Sequence, residues 1–368
     1  AAVIMLSVYI GWTGSLLVSV GFILNTITGI SANTAIIIGT IIVFIYTMAG
    51  GMWAVSLTDF FQMIIVMTGL AVITPIVISE VGGFSVLISR LPEGSFRMTP
   101  ETGDSIDWLN YIRAWMVIGL GNLAGQDLLQ RSLSAKSEKV AQNSAYLSTI
   151  IYLSFGLLPV LIGMAGSLLI PGLDNPELVV PKLALNYLPP VLASVFISAL
   201  LAAVMSSADS SILACSSVLG KNLLPMVMKS VPDNIILKWA RLSVPIFAIF
   251  SMIVALFVGE VYTLLLDSFS ILLVGLFVPL TAGIWWPKAN TPAALTAMIL
   301  GSLAWIVFKF ITPGVPSDMV GLAFSISAMI LVTLFTKDKE VANPLKDVDG
   351  NILPYVDRLG ILFSFNKK

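Results

Sequence analysis

The sequence predicts an all-α, polytopic helical membrane protein, and three observations carry that prediction. The 368 residues are 57% hydrophobic and only 11% charged, where a soluble domain carries about 25% charged residues; the mean hydropathy is +0.99. The charges are also unevenly placed: between Ala1 and Ser79 the single charged side chain is Asp59. Finally, the apolar runs are long and continuous. Helices that cross a bilayer need roughly 20 such residues, whereas barrel strands alternate with period two.

Ten spans can be drawn, at about 4–24, 33–49, 55–79, 107–126, 144–170, 187–218, 241–258, 261–285, 291–311 and 319–336. The first is an unbroken apolar run closed by the polar stretch Asn25–Asn33. The second and third are separated by a turn expected at Gly50-Gly51, and the polar loop Leu91–Ser105 precedes the fourth. That fourth span is short and interrupted by Gly119, Gly121 and Gly125. The sixth, 187–218, is long and holds the cluster Ser206-Ser207-Ala208-Asp209-Ser210-Ser211. Short, glycine-interrupted apolar segments point to a transporter binding site, because unwound backbone can offer carbonyls and amides to a ligand. Residues 1–336 therefore read as one membrane domain, and 337–368, charged and containing Pro344, Gly350 and Pro354, as a cytoplasmic tail.

Lys and Arg concentrate in the loops around 127–143, 219–241 and 286–292 and in the tail, while the opposite loops hold only Arg90, Arg97 and Lys182. The basic side is expected in the cytoplasm. The chain begins at Ala1 inside an apolar run, without a basic region or a small-residue cleavage site. It does not read as a signal peptide and is expected to be truncated at its N-terminus. A net charge of −1 suggests no nucleic-acid partner. Cys215 is the one cysteine, so no disulfide forms within the chain, and the absence of histidine removes the commonest general base and metal ligand.

Intramembrane acids are costly and face a polar cavity, a partner or an ion. At 100° per residue, Ala203, Ser206, Ser207 and Ser210 share one helix face, with Asp209 at its flank. These are hard oxygens, which suit alkali and alkaline-earth cations; alternatively the serines bond back along their own helix or join helices. Asp59, with Ser56 and Gln62 three residues either side, is a second candidate for an ion or a proton, or a carboxylate reaching water. Asn122 and Gln126 form an i, i+4 amide pair beside Gly121, suited to a substrate or to an interhelical bond. Arg131 reads as a cytoplasmic anchor. Arg113 reads as a snorkelling side chain or a ligand for a substrate carboxylate, and Asp267 as solvated.

Together these residues resemble the sodium:solute symporter family. The resemblance rests on Gly50-Gly51-Met52-Trp53-Ala54-Val55-Ser56-Leu57-Thr58-Asp59-Phe60-Phe61-Gln62, on Ala202-Ala203-Val204-Met205-Ser206-Ser207-Ala208-Asp209-Ser210-Ser211, and on Gln126 to Arg131 with Ser134-Ala135-Lys136. In motif it is nearest to the choline-transporter branch and bacterial relatives. The resemblance implies a LeuT-like inverted-repeat fold with the first core helices missing. It implies a sodium site at Ala203, Ser206 and Ser207, and a second ion site at Asp59, Ser206, Asp209 and Ser210. Substrate is expected near Gly121, Asn122 and Gln126. Where sugar-transporting relatives carry aromatic residues, this chain has Gly121 and Asn122; the aromatic faces that choline would need could come from elsewhere in the chain, as from Tyr9, Trp12 or Trp115, and neither sugar nor choline is assigned.

The expected function is sodium-coupled symport of a small organic solute across the plasma membrane, with the lipid bilayer, sodium and the solute as partners and no cofactor beyond the coupling ion. Proton coupling through Asp59 and Asp209 is the alternative. An intramembrane enzyme and a transporter-like sensor are weaker ones: two acids without histidine, or without a lysine beside a serine, make a poor catalytic set.

Overall fold

In a hydrocarbon layer every backbone N–H and C=O must be satisfied within the chain, and a helix does this with neighbours four residues away. The computed structural model describes residues 1–336 apart from 102, 174, 229–231, 287 and 313–314, and it leaves the side chains of 46, 49–55 and 233 undescribed. The expected tail, 337–368, lies outside the described residues. The described residues contain helices and no strand. The helices are α1 (Ala2–Thr28), α2 (Ala32–Val81), α3 (Phe84–Arg90), α4 (Ser105–Gly121), α5 (Gln126–Leu133), α6 (Glu138–Phe155), α7 (Leu157–Leu169) and α8 (Val179–Tyr187). They continue with α9 (Pro190–Val218), α10 (Leu224–Val227), α11 (Asp233–Val258), α12 (Val261–Leu272), α13 (Val278–Trp285), α14 (Thr291–Ile311) and α15 (Ser317–Phe335). Wide π-helical turns at 219–223 and 273–277 join α9 to α10 and α12 to α13.

The helix ends follow local chemistry. Ser31 caps α2 by accepting the Thr34 N–H at 3.2 Å, and Asn290 caps α14 by accepting that of Ala293 at 3.0 Å. Side-chain acceptors at these positions satisfy amides that have no helical partner. Helix α1 closes on Gly29 in the left-handed region, φ 74°, a conformation glycine adopts without penalty.

Among the described residues eight helices are long and apolar enough to cross a membrane, fewer than the ten spans expected. The expected spans 33–49 and 55–79 are one continuous helix, α2, with no turn at Gly50-Gly51. Glycine lowers helix propensity but does not end a helix whose amides have no water to turn to. The axis nevertheless bends. Asp59 meets Ser206 and Gly69 packs on Phe196, an antiparallel register with α9 that would set Thr47 near residue 218; Thr47 instead meets Asp209. The segment 144–170 is two helices meeting at Gly156 and begins earlier, at Glu138. Helix α9 starts at Pro190, not 187, because Pro189-Pro190 ends α8 and pre-forms the first turn of the next helix. Helix α11 starts at Asp233 rather than 241.

Helix α1 packs against α2, α9, α11 and α12, and one buried apolar cluster runs through these elements, including Leu17, Ile36, Ile212 and Phe247. A second cluster joins Val117 of α4, Leu273 and Val274 of the π turn, Trp305 of α14 and Met329 of α15. Without a hydrophobic driving force between helices in lipid, close approach at small residues is what holds them. Gly301 of α14 and Gly321 of α15 face each other at such a crossing: a Cβ on Gly321 would lie 2.8 Å from the Gly301 carbonyl oxygen and 2.9 Å from Val274 Cγ1. Gly321→Ala is therefore expected to destabilise by about 1–3 kcal/mol, the usual range for overpacking, read as a lower melting temperature in detergent. Gly163→Ala, whose Cβ would meet nothing within 4 Å, should not lower it.

Candidate functional site: the polar segment of α9 and the break between α4 and α5

A helix in lipid tolerates serine and threonine when their hydroxyls bond back to a carbonyl four residues earlier. Helix α9 does so repeatedly: Ser207 Oγ donates to the Ala203 carbonyl at 3.1 Å, Ser211 to that of Ser207 at 2.9 Å, and Ser216 to that of Ile212 at 2.9 Å. Ser206 departs from this pattern. Its hydroxyl donates across to Asp59 Oδ1 on α2. The other carboxylate oxygen of Asp59 accepts from Arg131 Nη2 of α5 at 2.7 Å, and the same nitrogen donates to Ser210 Oγ at 3.2 Å. Three helices meet here. Arg131 is an ion-pair partner rather than the surface anchor expected. Its side chain stays 58% exposed while that of Asp59 is 15% exposed, so the guanidinium closes the solvent side of the carboxylate.

The four residues expected to form a second ion site are divided. Asp59, Ser206 and Ser210 converge, bridged by Arg131, but Asp209 faces elsewhere. It is fully buried, and its Oδ1 accepts from Thr47 Oγ1 on α2. Thr47 also points its hydroxyl at the Val43 carbonyl, 2.8 Å away. A hydroxyl has one proton, so the two acceptors compete for it. Asp209 Oδ2 is buried with no hydrogen-bond partner among the described residues. Of the three residues expected to bind sodium, Ser206 is buried, Ala203 half-buried and Ser207 exposed. Earlier on α9, ending at Ala202, runs an open groove of about 410 Å³, lined by Gln62 and Ile65 of α2 and by Ser194, Ser198 and Ala202 of α9. Gln62 Oε1 is buried there with no hydrogen-bond partner among the described residues.

The second component is the break between α4 and α5. Helix α4 ends at Gly121, a single 3-10 turn covers Asn122–Ala124, and Gly125 is extended (φ −67°, ψ 132°) before α5 begins. Asn122 and Gln126 therefore do not share a helix face as the i, i+4 spacing implied; Asn122 is exposed and Gln126 half-buried. The break is held on two sides. A Cβ on Gly121 would lie 2.5 Å from the Phe269 carbonyl of α12, so only glycine lets the two backbones approach. On the α1 side, Tyr9 donates its hydroxyl to Asp127 Oδ1 at 2.6 Å and accepts the Asp127 N–H at 2.9 Å. This satisfies an N-terminal amide of α5 and places a carboxylate at the positive end of that helix. One turn along α1, Trp12 meets Phe269 with ring centroids 5.2 Å apart.

Two further expectations change. Arg113 neither snorkels nor is free for a substrate: its Nε donates to both carboxylate oxygens of Asp318, at 2.7 and 2.6 Å. Asp267 pairs with Lys309, whose ammonium also lies 4.9 Å from the Trp305 ring centroid. Sequence reasoning missed Thr47, Asp127 and Asp318 as partners. Thr47 is one threonine among many in apolar helices and carries no signal. Asp318 sits at the start of its helix, where a carboxylate is expected to meet water. Tyr9 drew notice only as an aromatic ring. Tyr9→Phe removes both bonds to Asp127 and is expected to destabilise by about 1.5–3 kcal/mol, as for hydrogen bonds to charged groups. Unfolding in detergent checks this against Tyr262→Phe, a half-exposed tyrosine that should be neutral.

Comparison with known proteins identifies the family and the fold. The sequence model of the sodium:solute symporter family matches residues 1–301. The high affinity choline transporter 1 of Homo sapiens is 27% identical over 318 residues, covering 83% of this chain and 54% of that protein. The sodium/pantothenate symporter of Haemophilus influenzae is 26% identical over 299 residues, covering 77% of this chain and 60% of that protein. The chain thus spans about half the length of relatives it matches. A solved Na+-coupled sialic acid symporter, in a substrate-bound outward-open state, superposes with a TM-score of 0.74 over 92% of this chain and 74% of that one, at 20% identity. That likeness shows the fold, which is LeuT-like.

Proposed function

This chain belongs to the sodium:solute symporter family, and from that premise we propose that it serves sodium-coupled symport of a small organic solute across the plasma membrane, by alternating access. The observation that carries the reading is the open oxygen face of α9. Ser207 is exposed and Ala203 half-buried, next in sequence to the Ser206 that bonds Asp59, and Ala202 just before them lines the α2–α9 groove. Hydroxyl and carbonyl oxygens of this kind suit an alkali cation. Ala203, Ser206 and Ser207 would bind sodium, and the rest of its shell would come from across the groove. The Ser207 hydroxyl donates its proton to the Ala203 carbonyl, which leaves its own lone pairs and the carbonyl's second lone pair for a cation.

Asp59, Ser206 and Ser210 support a second cation position, with Arg131 as a competing cation; Asp209 stands apart, on Thr47. Solute would bind near the break, at Gly121, Asn122 and Gln126, where the backbone leaves its helix. The relatives are named for choline and pantothenate, and either is a first probe. Sodium favours the solute-competent state only by its differential affinity for the two conformations. No enzyme chemistry is required of these residues, and the family and its named relatives are transporters.

The test is uptake by the full-length protein in proteoliposomes. Ser207→Ala is expected to raise the sodium concentration for half-activation about tenfold or more, the equivalent of one lost bond to a charged group, with the melting temperature unchanged. An unaltered sodium activation curve in both Ser206→Ala and Ser207→Ala would refute the placement. One observation favours a second reading, proton coupling: Asp209 Oδ2 is buried without a partner. Uptake driven by a pH gradient in sodium-free buffer, and lost in Asp209→Asn, would select it.

A further inference from the structure

The Arg113–Asp318 pair lies outside the ion and solute positions above, and Asp318 also lies beyond residues 1–301, which the family model matches. The Asp318 side chain is 1% exposed and that of Arg113 38% exposed. A buried carboxylate is retained where its charge is matched and its oxygens are bonded. Here Arg113 Nε reaches both oxygens, Ser270 Oγ of α12 donates to Oδ2 at 3.3 Å, and the Met319 N–H donates to Oδ1 at 3.0 Å. One carboxylate on α15 thus binds α4 and α12 together.

The packing beneath it points the same way. Val117, one turn after Arg113 on α4, belongs to the same buried cluster as Val274 of the π turn, Trp305 of α14 and Met329 of α15. The Gly301–Gly321 crossing brings α14 and α15 within backbone contact, with Val274 wedged against both. The C-terminal end of α4 reaches the α12 side of the break: Gly121 lies on the Phe269 carbonyl, the residue before Ser270. From Arg113 to Asn122 along α4, and from Ser270 to Phe269 along α12, the pair is mechanically continuous with the site.

We propose that Arg113 and Asp318 are positioning residues. Their ion pair, shared with Ser270, fixes α4 and α12 to the α14–α15 hairpin, so that the helix entering the Asn122–Gly125 break and the α12 side of that break are carried as one body. Arg113 thereby acts on the solute through helix position and not through contact with it. The consequence for transport rests on the symport reading; the geometry itself does not.

The test separates the two. Spin labels at Ile118→Cys on α4 and Ile326→Cys on α15, both exposed, with Cys215 buried and unreactive, report the distance between these helices by pulsed electron resonance in proteoliposomes. One narrow distance, the same in sodium and in potassium, is expected. Asp318→Asn, which keeps the shape and removes the charge, should broaden or split it. Arg113→Lys, which keeps the charge and folds where larger changes fail, should broaden it less. Labelling of Asn122→Cys by a membrane-impermeant maleimide should change about threefold or more in Asp318→Asn, within the range of coupling between packed elements, and less in Arg113→Lys. A narrow distance that persists in Asp318→Asn overturns the proposal, as do two distances in the parent protein or an unchanged labelling rate. Loss of sodium-driven uptake in the parent protein would count against symport and leave this distance result standing.

Discussion

A carboxylate inside a hydrocarbon layer must find its partner within the protein, because no water is there to solvate it. In this chain three carboxylates, buried or half-buried, join helices distant in sequence. Asp59 ties α2 to α9 and α5 through Ser206 and Arg131, and Asp318 ties α15 to α4 and α12 through Arg113 and Ser270. Asp127 ties α5 to α1 through Tyr9. Apolar surfaces alone would leave the orientation of these helices weakly specified, since lipid tails are as apolar as leucine. The polar pairs choose among the packings that the glycine contacts permit.

The exception to this economy is informative. Asp209 has one donor, Thr47, that also serves the Val43 carbonyl, and one bare oxygen. A buried acid this thinly matched is where an ion, a proton or a change of conformation has something to do. Asp59 is better matched, by a serine and a guanidinium. The two acids therefore differ in surroundings, Asp59 paired and Asp209 left with an unmatched oxygen. Arg131 sits between Asp59 and Ser210, so any cation arriving at those oxygens must compete with a side chain already there.

Much of the fold was legible. Long apolar runs identified most of the membrane helices, and α14 matches its expected limits at both ends because Asn290 and the Thr312-Pro313-Gly314 sequence mark them unambiguously. Of the glycines expected to interrupt the fourth span, Gly121 and Gly125 flank the observed break, while Gly119 lies inside α4 with nothing within 4 Å of its Cβ position. The Gly50-Gly51 pair misled for the same reason: in an apolar setting glycine permits departure from a helix without requiring it. The serine face of α9 was also legible, because a 100° rotation per residue is a property of the chain alone.

The sequence by itself determined the class of protein, the positions of the polar residues along each helix, and a family likeness strong enough to propose the coupling ion. Hydrophobicity and helical periodicity are local, and they survive without a partner. Which oxygen meets which proton was decided only by the tertiary structure. Ser206 and Ser207 are neighbours in sequence, yet one bonds Asp59 across a helix interface and the other bonds its own helix and stays exposed. Arg113 and Asp318 are separated by most of the described chain, and nothing in either neighbourhood names the other. Charge pairing in a low-dielectric interior depends on distance in space, and helix packing alone sets that distance.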